Sequence, residues 1–267
     1  MRLKQPNMTD NEKEVVQEFA NWIVKVGEGD VPRVSFKADE DENWIKIPEK
    51  YLIKAGPDPV YTIFNEVYPD FLRQYSNADY LKRRSILTPL NDTVNIINSQ
   101  ILSLMPGDVQ SYLSYDCLDT NYSDYVMLLR NSDPSRGLCN GTHMIVKRCT
   151  RNVVEAIIVS GSKIGEIAHI PMISLSVDNK KWPFVLKRRQ FPLRLAYAMT
   201  INKSQGQTLK IVGLYLSDPV FSHGQLYVSL SRVDNPKGLK ILICNADSQV
   251  LPGCTKNIIF KEVFKDL

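Results

Sequence analysis

Residues 198–216 read AMTINKSQGQTLKIVGLYL, and residues 223–233 read HGQLYVSLSRV. The first stretch is a polar loop followed by an apolar run from Lys210 to Leu216. The second stretch opens on polar residues and continues as an amphipathic segment. This order predicts loop, strand and helix, with polar groups gathered at the ends of the elements. In α/β proteins those ends are where phosphates and nucleic acids bind.

Apolar runs elsewhere in the chain extend this pattern on both sides of a β-rich middle. SILTP (85–89), LRLAYAM (193–199) and GLKILIC (238–244) alternate with helical segments, as the run in 210–216 does. Such strands predict a parallel sheet that is buried on both faces. Between them, the short apolar runs from Val126 to Lys187 are split by Gly, Asn and Pro, which predicts a small antiparallel β-barrel or meander.

Three further helices are predicted from periodicity and capping residues. Thr9 and Glu12 form a capping box at the start of the first helix. Gly27 can end this helix. Its apolar face is predicted to contain Val15, Phe19, Ile23 and Val26. The other two helices are predicted for residues 59–67 and for residues 91 to about 104.

The overall composition is that of an ordinary soluble globular protein. The 267 residues are 43% hydrophobic and 23% charged, with a net charge of +4 that permits a polyanionic partner without requiring one. No apolar run approaches the roughly 20 residues of a membrane span. The five cysteines form no CxxC pair, which favours a reducing compartment and argues against disulfides and a zinc site. We therefore expect a soluble intracellular protein without membrane contact.

Several motifs resemble those of a known helicase family. The stretches 198–208 and 223–233 are similar to motifs near the C-terminal end of DNA helicases of the petite-integration-frequency family, above all the branch carried by Helitron transposons. SILTPLNDTVNIIN (85–98) resembles the segment that opens their second RecA-like domain. RNSDPSRGLCNGT (130–142) lies in a region that resembles the small subdomain inserted into these motors.

The resemblance implies an α/β fold with an insertion. We expect a RecA-like parallel-sheet domain, the P-loop NTPase-like second motor domain, interrupted by a small β-barrel-like (SH3-like) insertion. The implied organisation is a helical and linker region in 1–84, the first part of the RecA-like domain in 85–125, the insertion (2B-like) in 126–190, and the remainder of the RecA-like domain in 191–267.

The resemblance also assigns site residues. Arg232 is implied as an arginine finger that reaches the γ-phosphate of ATP. Arg2, Gly206 and Thr208 are implied to contact the nucleotide. The implied DNA-binding residues are Thr88, Asn91, Thr200, Asn202, Lys203, Ser204 and Gln205. No metal-binding residue is predicted.

Local chemistry leaves simpler interpretations open for these residues. The polar loop can merely cap a helix, and Asn91 or Asp92 can be an ordinary N-cap. Arg232 can be a solvated side chain that interacts with a helix dipole. Arg2 can be frayed at the terminus.

Two phosphate-binding features of a helicase motor are absent from the sequence. It contains no GxxxxGK[ST] loop and no acidic residue at the end of a buried strand to hold Mg²⁺. The resemblance therefore implies the C-terminal portion of an ATP-dependent 5′-to-3′ DNA helicase. ATP and Mg²⁺ would serve the intact enzyme, and neither is expected to bind tightly to this chain alone.

The expected partners are single-stranded DNA or a DNA fork and a missing N-terminal RecA-like domain, in the nucleus or in mitochondria. Two alternatives remain open: a non-enzymatic module that binds single-stranded DNA, and an inactive transposon relic. The relic interpretation draws on the region 119–125, where the family has additional residues.

Overall fold

The computed structural model describes residues 9–35, 43–105, 109–112, 115–118, 124–177, 186–244 and 251–264. Arg2 and residues 119–123 lie outside this set. Contacts divide the chain into two compact units. The first unit comprises Met1–Asp70, Arg83–Ser99 and Ala198–Leu267, and the second comprises Phe71–Lys82 and Gln100–Tyr197. The domain boundaries drawn from the sequence at residues 84, 125 and 190 remain predictions.

The secondary structure of the described residues alternates between helices and short strands. The α-helices are α1 (Asp10–Glu28), α2 (Pro59–Val67), α3 (Phe71–Gln74), α4 (Ala78–Leu81), α5 (Asn91–Ser103) and α6 (Gln225–Leu230). The strands are β1 (Trp44–Lys46), β2 (Arg84–Thr88), β3 (Val109–Tyr112), β4 (Tyr115–Leu118), β5 (Tyr125–Leu128), β6 (His143–Cys149), β7 (Val153–Ile158), β8 (Ile167–Pro171), β9 (Ile173–Val177), β10 (Leu186–Gln190), β11 (Leu193–Leu195), β12 (Ala198–Thr200), β13 (Ile211–Leu216), β14 (Leu239–Ile243) and β15 (Cys254–Lys256). Short 3₁₀ helices lie at Glu49–Tyr51, Pro134–Arg136, Ile201–Ser204, Pro236–Gly238 and Lys261–Phe264.

The first unit is built on a four-stranded parallel sheet. Its strand order is β12–β2–β13–β14, and every pairing in it is parallel. Helix α2 packs against β2, β13 and β14, and Gly213 of β13 leaves room for the side chains of Ile63 and Val67. The parallel sheet predicted from the apolar runs in 85–89, 210–216 and 238–244 is therefore confirmed.

The run LRLAYAM does not form one strand of this sheet, so that part of the prediction is wrong. Its first part, β11, pairs antiparallel with β5 in the second unit, whereas β12 pairs in parallel with β2 in the first unit. Ala196 and Tyr197 between the two strands are both fully buried. An apolar run indicates that a segment is buried. It does not indicate which strands the segment pairs with, because those strands come from distant parts of the chain, and the change of sheet within 193–199 was therefore not predicted.

Helix α1 begins as predicted and ends two residues later than predicted. Thr9 and Glu12 form the capping box, and the C-cap is Gly29, whose φ of 76° is left-handed. The buried residue in the first turns is Val16, because Val15 is 37% exposed. Gly27 lies inside the helix, where a Cβ atom would come within 2.8 Å of the Tyr227 ring. Gly27 thus permits close packing of α1 on α6, which sequence periodicity did not predict.

The second unit contains an antiparallel sheet. Strands β5, β6, β7 and β8 follow one another as a meander, and β11 pairs with the free side of β5. Its core includes Val126, Met144, Val154, Ile170 and Phe191, which are all buried. Strands β3 with β4 and β9 with β10 form two further antiparallel pairs. The predicted antiparallel meander is present, and its closure into an SH3-like barrel remains a prediction.

None of the helices in the described part of the chain has the length and apolarity needed to cross a bilayer.

Candidate functional site

Two threonines lie side by side where neighbouring parallel strands end. Thr88 ends β2 and Thr200 ends β12, and the two residues are partners in the register of the sheet. Thr88 is fully buried and Thr200 is 7% exposed. Within the described residues, Thr88 Oγ1 is buried without a hydrogen-bond partner. The carboxyl end of the sheet therefore carries one hydroxyl whose hydrogen-bonding capacity is unused, a state that costs about 1–3 kcal/mol for a buried group.

Asn98 of α5 holds the first residue of β12 in place. Its Nδ2 donates to the Ala198 carbonyl at 3.0 Å, and the Ala198 N–H donates to Asn98 Oδ1 at 2.9 Å. Because β12 is an edge strand, this side chain makes the pair of bonds that another strand would otherwise make. Our sequence-based prediction missed Asn98. The available signal was an amide on the same helical face as Val94, Ile97 and Ile101.

Asn91 lies at the start of α5 and is exposed. Asn91 and Asp92 are the first two residues of this helix, so neither precedes it as the N-cap considered above. Helix α5 follows β2 after only Pro89 and Leu90. The positive end of its dipole therefore lies at the same sheet edge as Thr88 and Thr200.

The loop after β12 has an inward and an outward side. Its first residues form the 3₁₀ helix Ile201–Ser204, in which Ile201 and Ser204 are buried. Ser204 Oγ donates to the Ile201 carbonyl at 2.6 Å, so this hydroxyl is used inside the loop. The exposed members of the loop are Asn202, Lys203, Gln205, Gly206 and Thr208.

Gly206 gives the loop a sharp turn. Its φ is +82°, a conformation that side-chain-bearing residues rarely adopt, and a Cβ atom there would meet nothing within 4 Å. The turn continues as the Gln207 N–H donates to the Ser204 carbonyl at 3.0 Å. The turn therefore needs glycine for its backbone conformation and not for lack of space.

Arg232 connects the end of α6 to this loop. Its Nη1 donates to the carbonyls of Ser204 at 3.4 Å and Gln207 at 3.2 Å. Its Nε donates to the Val228 carbonyl at 2.9 Å, and its Nη2 donates to Ser231 Oγ at 2.7 Å. Burial lowers the pKa of the guanidinium from its usual value. Arg232 is thus held by neutral oxygens in a half-buried position and is not the freely solvated side chain considered above.

Backbone bonds join the same two segments. The Leu209 N–H donates to the Arg232 carbonyl at 2.8 Å, and the Asp234 N–H donates to the Leu209 carbonyl at 3.3 Å. Most of the predicted site residues thus come together in the first unit: the two threonines pair, and the loop is bonded to Arg232. Arg2 lies outside the described residues. Our sequence-based prediction also missed Ser231, which has no local signal beyond its place in SLSR.

The sequence is similar to that of several helicases. The family model described as "DNA helicase Pif1, 2B domain" matches residues 124–148, which include β5 and most of β6. "ATP-dependent DNA helicase PIF1" of Rattus norvegicus is 32% identical over 188 residues, covering 60% of this chain and 28% of the rat protein. "ATP-dependent DNA helicase Pif1" of Campylobacter jejuni is 54% identical over 52 residues, which are 20% of this chain and 11% of that protein.

The fold is also similar to that of a solved structure. The crystal structure of Pif1 helicase from Candida albicans matches with a TM-score of 0.55 and 20% identity, covering 97% of this chain and 59% of that chain. Together with the parallel sheet of the first unit, this match defines a RecA-like helicase fold.

The chain is similar in sequence to Pif1-type ATP-dependent DNA helicases, the family that its motifs resemble. It spans less than a third of the length of the curated relatives named above.

Proposed function

We propose that this chain supplies the DNA-contacting part of an ATP-dependent DNA helicase. The observation that carries the proposal is the joining of two motifs in one unit. The loop that follows β12 presents Asn202, Lys203 and Gln205 to solvent, and Arg232 is bonded to the inner side of the same loop. The proposed DNA-contacting loop and the proposed nucleotide sensor Arg232 are therefore bonded directly to each other.

Single-stranded DNA would lie along the carboxyl end of the parallel sheet. Asn202, Lys203 and Gln205 offer side-chain donors to its phosphates, and the N-terminal turn of α5 with Asn91 adds backbone N–H groups and a favourable dipole. Thr88 and Thr200 lie at the two strand ends beneath this surface. Ser204 contributes to the grip through the shape of the loop, since its hydroxyl is bonded to Ile201.

Arg232 would contact the γ-phosphate of ATP, with Gly206 and Thr208 on the exposed loop beside it. Bound ATP and Mg²⁺ would supply the phosphoanhydride to be cleaved and the charge that neutralises it. The residues here fit only part of that site. The sequence has no GxxxxGK[ST] loop, and the described residues hold no group of three or more side chains suited to a metal ion. The chain's own contribution is therefore contact with a phosphate, not hydrolysis.

The proposal extends to the whole enzyme. Another RecA-like domain would bind most of the nucleotide, and the second unit described above, in its SH3-like form, would act as the inserted DNA-channel subdomain. We further propose a Helitron-type helicase with 5′-to-3′ movement on single-stranded or forked DNA, acting in the nucleus or in mitochondria. The similarity to ATP-dependent DNA helicases supports the substrate and the cofactor of this proposal.

The experiment that tests the DNA grip is fluorescence anisotropy of a labelled single-stranded oligonucleotide with the full chain. We expect a micromolar Kd. A plot of the logarithm of the association constant against the logarithm of the salt concentration should have a slope of about −0.7 per phosphate neutralised. Lys203→Ala should weaken binding and reduce the magnitude of this slope by about 0.7, the contribution of one phosphate. Lys46→Ala is the matched control, because Lys46 lies on the separate β1–β15 pair.

Two outcomes of this experiment would contradict the proposal. One is the absence of binding at low salt by a chain that melts cooperatively. The other is an equal effect of the two lysine substitutions on affinity and on the salt slope. DNA-stimulated ATP turnover by this chain alone would overturn the assignment of hydrolysis to another domain.

A further inference from the structure

We propose that Arg232, oriented by Ser231, is a clamp that sets the shape of the loop 201–208. An anion bound by Arg232 and the ordered loop therefore compete for the same N–H donors of the guanidinium. This inference rests on the proposed DNA grip and adds its regulation. It assigns Ser231 as a positioning residue.

The guanidinium of Arg232 binds the turn of the loop on its inner side. Its Nη1 reaches the carbonyls of Ser204 and Gln207, which flank the exposed turn at Gly206. The Gln207 N–H also donates to the Ser204 carbonyl within the turn, and Leu209 beyond the turn is bonded to Arg232 and Asp234 through the backbone. If the guanidinium leaves, the turn loses these two bonds to Arg232, while its far end stays attached through Leu209.

Ser231 fixes the direction in which the guanidinium points. Its Oγ accepts from Arg232 Nη2 at 2.7 Å and donates to the Val228 carbonyl at 2.9 Å. Arg232 Nε donates to the same carbonyl at 2.9 Å. The planar group is therefore held at two of its edges by the last turn of α6, which leaves Nη1 directed at the loop.

A phosphate is a stronger partner for the guanidinium than the carbonyls that it holds now. The present bonds are charge-assisted only through the donor, whereas a phosphate adds a negative charge on the acceptor and accepts two parallel N–H donors. An anion that takes Nη1 and Nη2 in parallel competes with the carbonyls of Ser204 and Gln207 for the Nη1 N–H groups. Nη2 has a second N–H group, so its bond to Ser231 can persist. By linkage, DNA that orders the loop must weaken anion binding at Arg232 by the same factor.

The test compares two serines on the same helix. Ser229 Oγ donates to the Leu226 carbonyl at 2.7 Å, the same relation that Ser231 has to Val228. Ser229→Ala is thus the matched control for Ser231→Ala, and Ser231→Thr keeps the hydroxyl. Arg232→Lys retains the charge but cannot span the two carbonyls.

Anisotropy with single-stranded DNA provides the first readout. We expect Ser231→Ala to weaken binding about 3- to 10-fold, the factor that corresponds to one hydrogen bond of ordinary net strength. Arg232→Lys should weaken it at least as much, whereas Ser231→Thr and Ser229→Ala should stay within about twofold of the wild type. Pyrophosphate should weaken DNA binding by the wild type more than sulfate at equal ionic strength does. Arg232→Lys should abolish this difference, which a merely structural role would not affect.

Amide hydrogen exchange of residues 201–209 in the free chain provides the second readout. Exchange should accelerate in Ser231→Ala and Arg232→Lys but not in Ser229→Ala. If the wild type does not bind DNA, the proposed function fails, and the exchange rates alone decide on the clamp. Unchanged exchange in both variants, or equal effects of the two serine-to-alanine changes, would overturn the clamp.

Discussion

Asn98→Ala would break the attachment of β12 to α5. The substitution removes the amide that accepts from the Ala198 N–H and donates to the Ala198 carbonyl. Asn98 is 3% exposed and Ala198 is 1% exposed, so water does not replace these bonds without a rearrangement. The backbone groups of Ala198 would then be buried and unpaired at the edge of the sheet.

The expected cost is large for a single substitution. Each buried backbone group left without a partner costs about 1–3 kcal/mol. Partial relaxation at an edge strand reduces the sum, which gives roughly 2–4 kcal/mol for the two groups. For a chain of this size, that loss corresponds to a decrease in Tm of about 5–15 °C.

Urea unfolding followed by circular dichroism measures this loss. Asn95→Ala is the matched control, because Asn95 is the same residue type three positions earlier on α5 and is exposed. The control should change the free energy of unfolding by less than about 0.5 kcal/mol. If both variants have the same midpoint and slope, the two bonds of Asn98 do not support the sheet edge, and our account of β12 is wrong.

Three further substitutions test the fold. Gly206→Ala should cost about 1–2 kcal/mol in thermal unfolding, because only its positive φ is strained; no loss would show that the loop adopts another turn. Gly213→Ala should cost about 1–3 kcal/mol in urea unfolding, since the new Cβ would overlap Val67 Cγ2 and lie 3.0 Å from Ile63 Cδ1; a neutral result would mean that α2 moves freely. Burial, with a smaller effect of Glu18, raises the pKa of Tyr51 from 10.0 to about 12. The folded state favours the neutral phenol of Tyr51. The contribution of Tyr51 to the free energy of unfolding is therefore fully present below pH 10 and is lost as the pH rises towards 12. Tyr51→Phe should therefore reduce the loss of stability between pH 9 and 11.5, and an unchanged pH profile would contradict it.

The features predicted correctly from the sequence are those that depend on neighbouring residues. The capping box of α1 and the bounds of α2 follow from short-range patterns. The parallel sheet follows from apolar runs that are too short for helices and too apolar for an exposed strand. Even the errors in α1 are small, since Val16 replaces Val15 and Gly29 replaces Gly27.

The features that could not be predicted depend on residues far apart in the chain. Asn98 and Ala198 are one hundred residues apart, and their pairing exists only because α5 lies beside the edge strand. The split of residues 193–199 between two sheets depends on β5 and β2, which are likewise distant. The periodicity of α5 can indicate that Asn98 is buried, but no pattern within one segment identifies the distant partner in either contact.

The loop after β12 explains why a motif of polar residues is not a set of equivalent ligands. In a 3₁₀ helix, side chains three residues apart lie on the same side. Ile201 and Ser204 therefore both point inward, while Asn202 and Lys203 are exposed. Ser204 acts on the inner side through its carbonyl, which Arg232 holds. The proposed DNA surface is thus the outer side of a single turn of chain, and the proposed nucleotide sensor is bonded to its inner side. A change in the bonds of Arg232 therefore acts on the loop directly, without an intervening helix or strand.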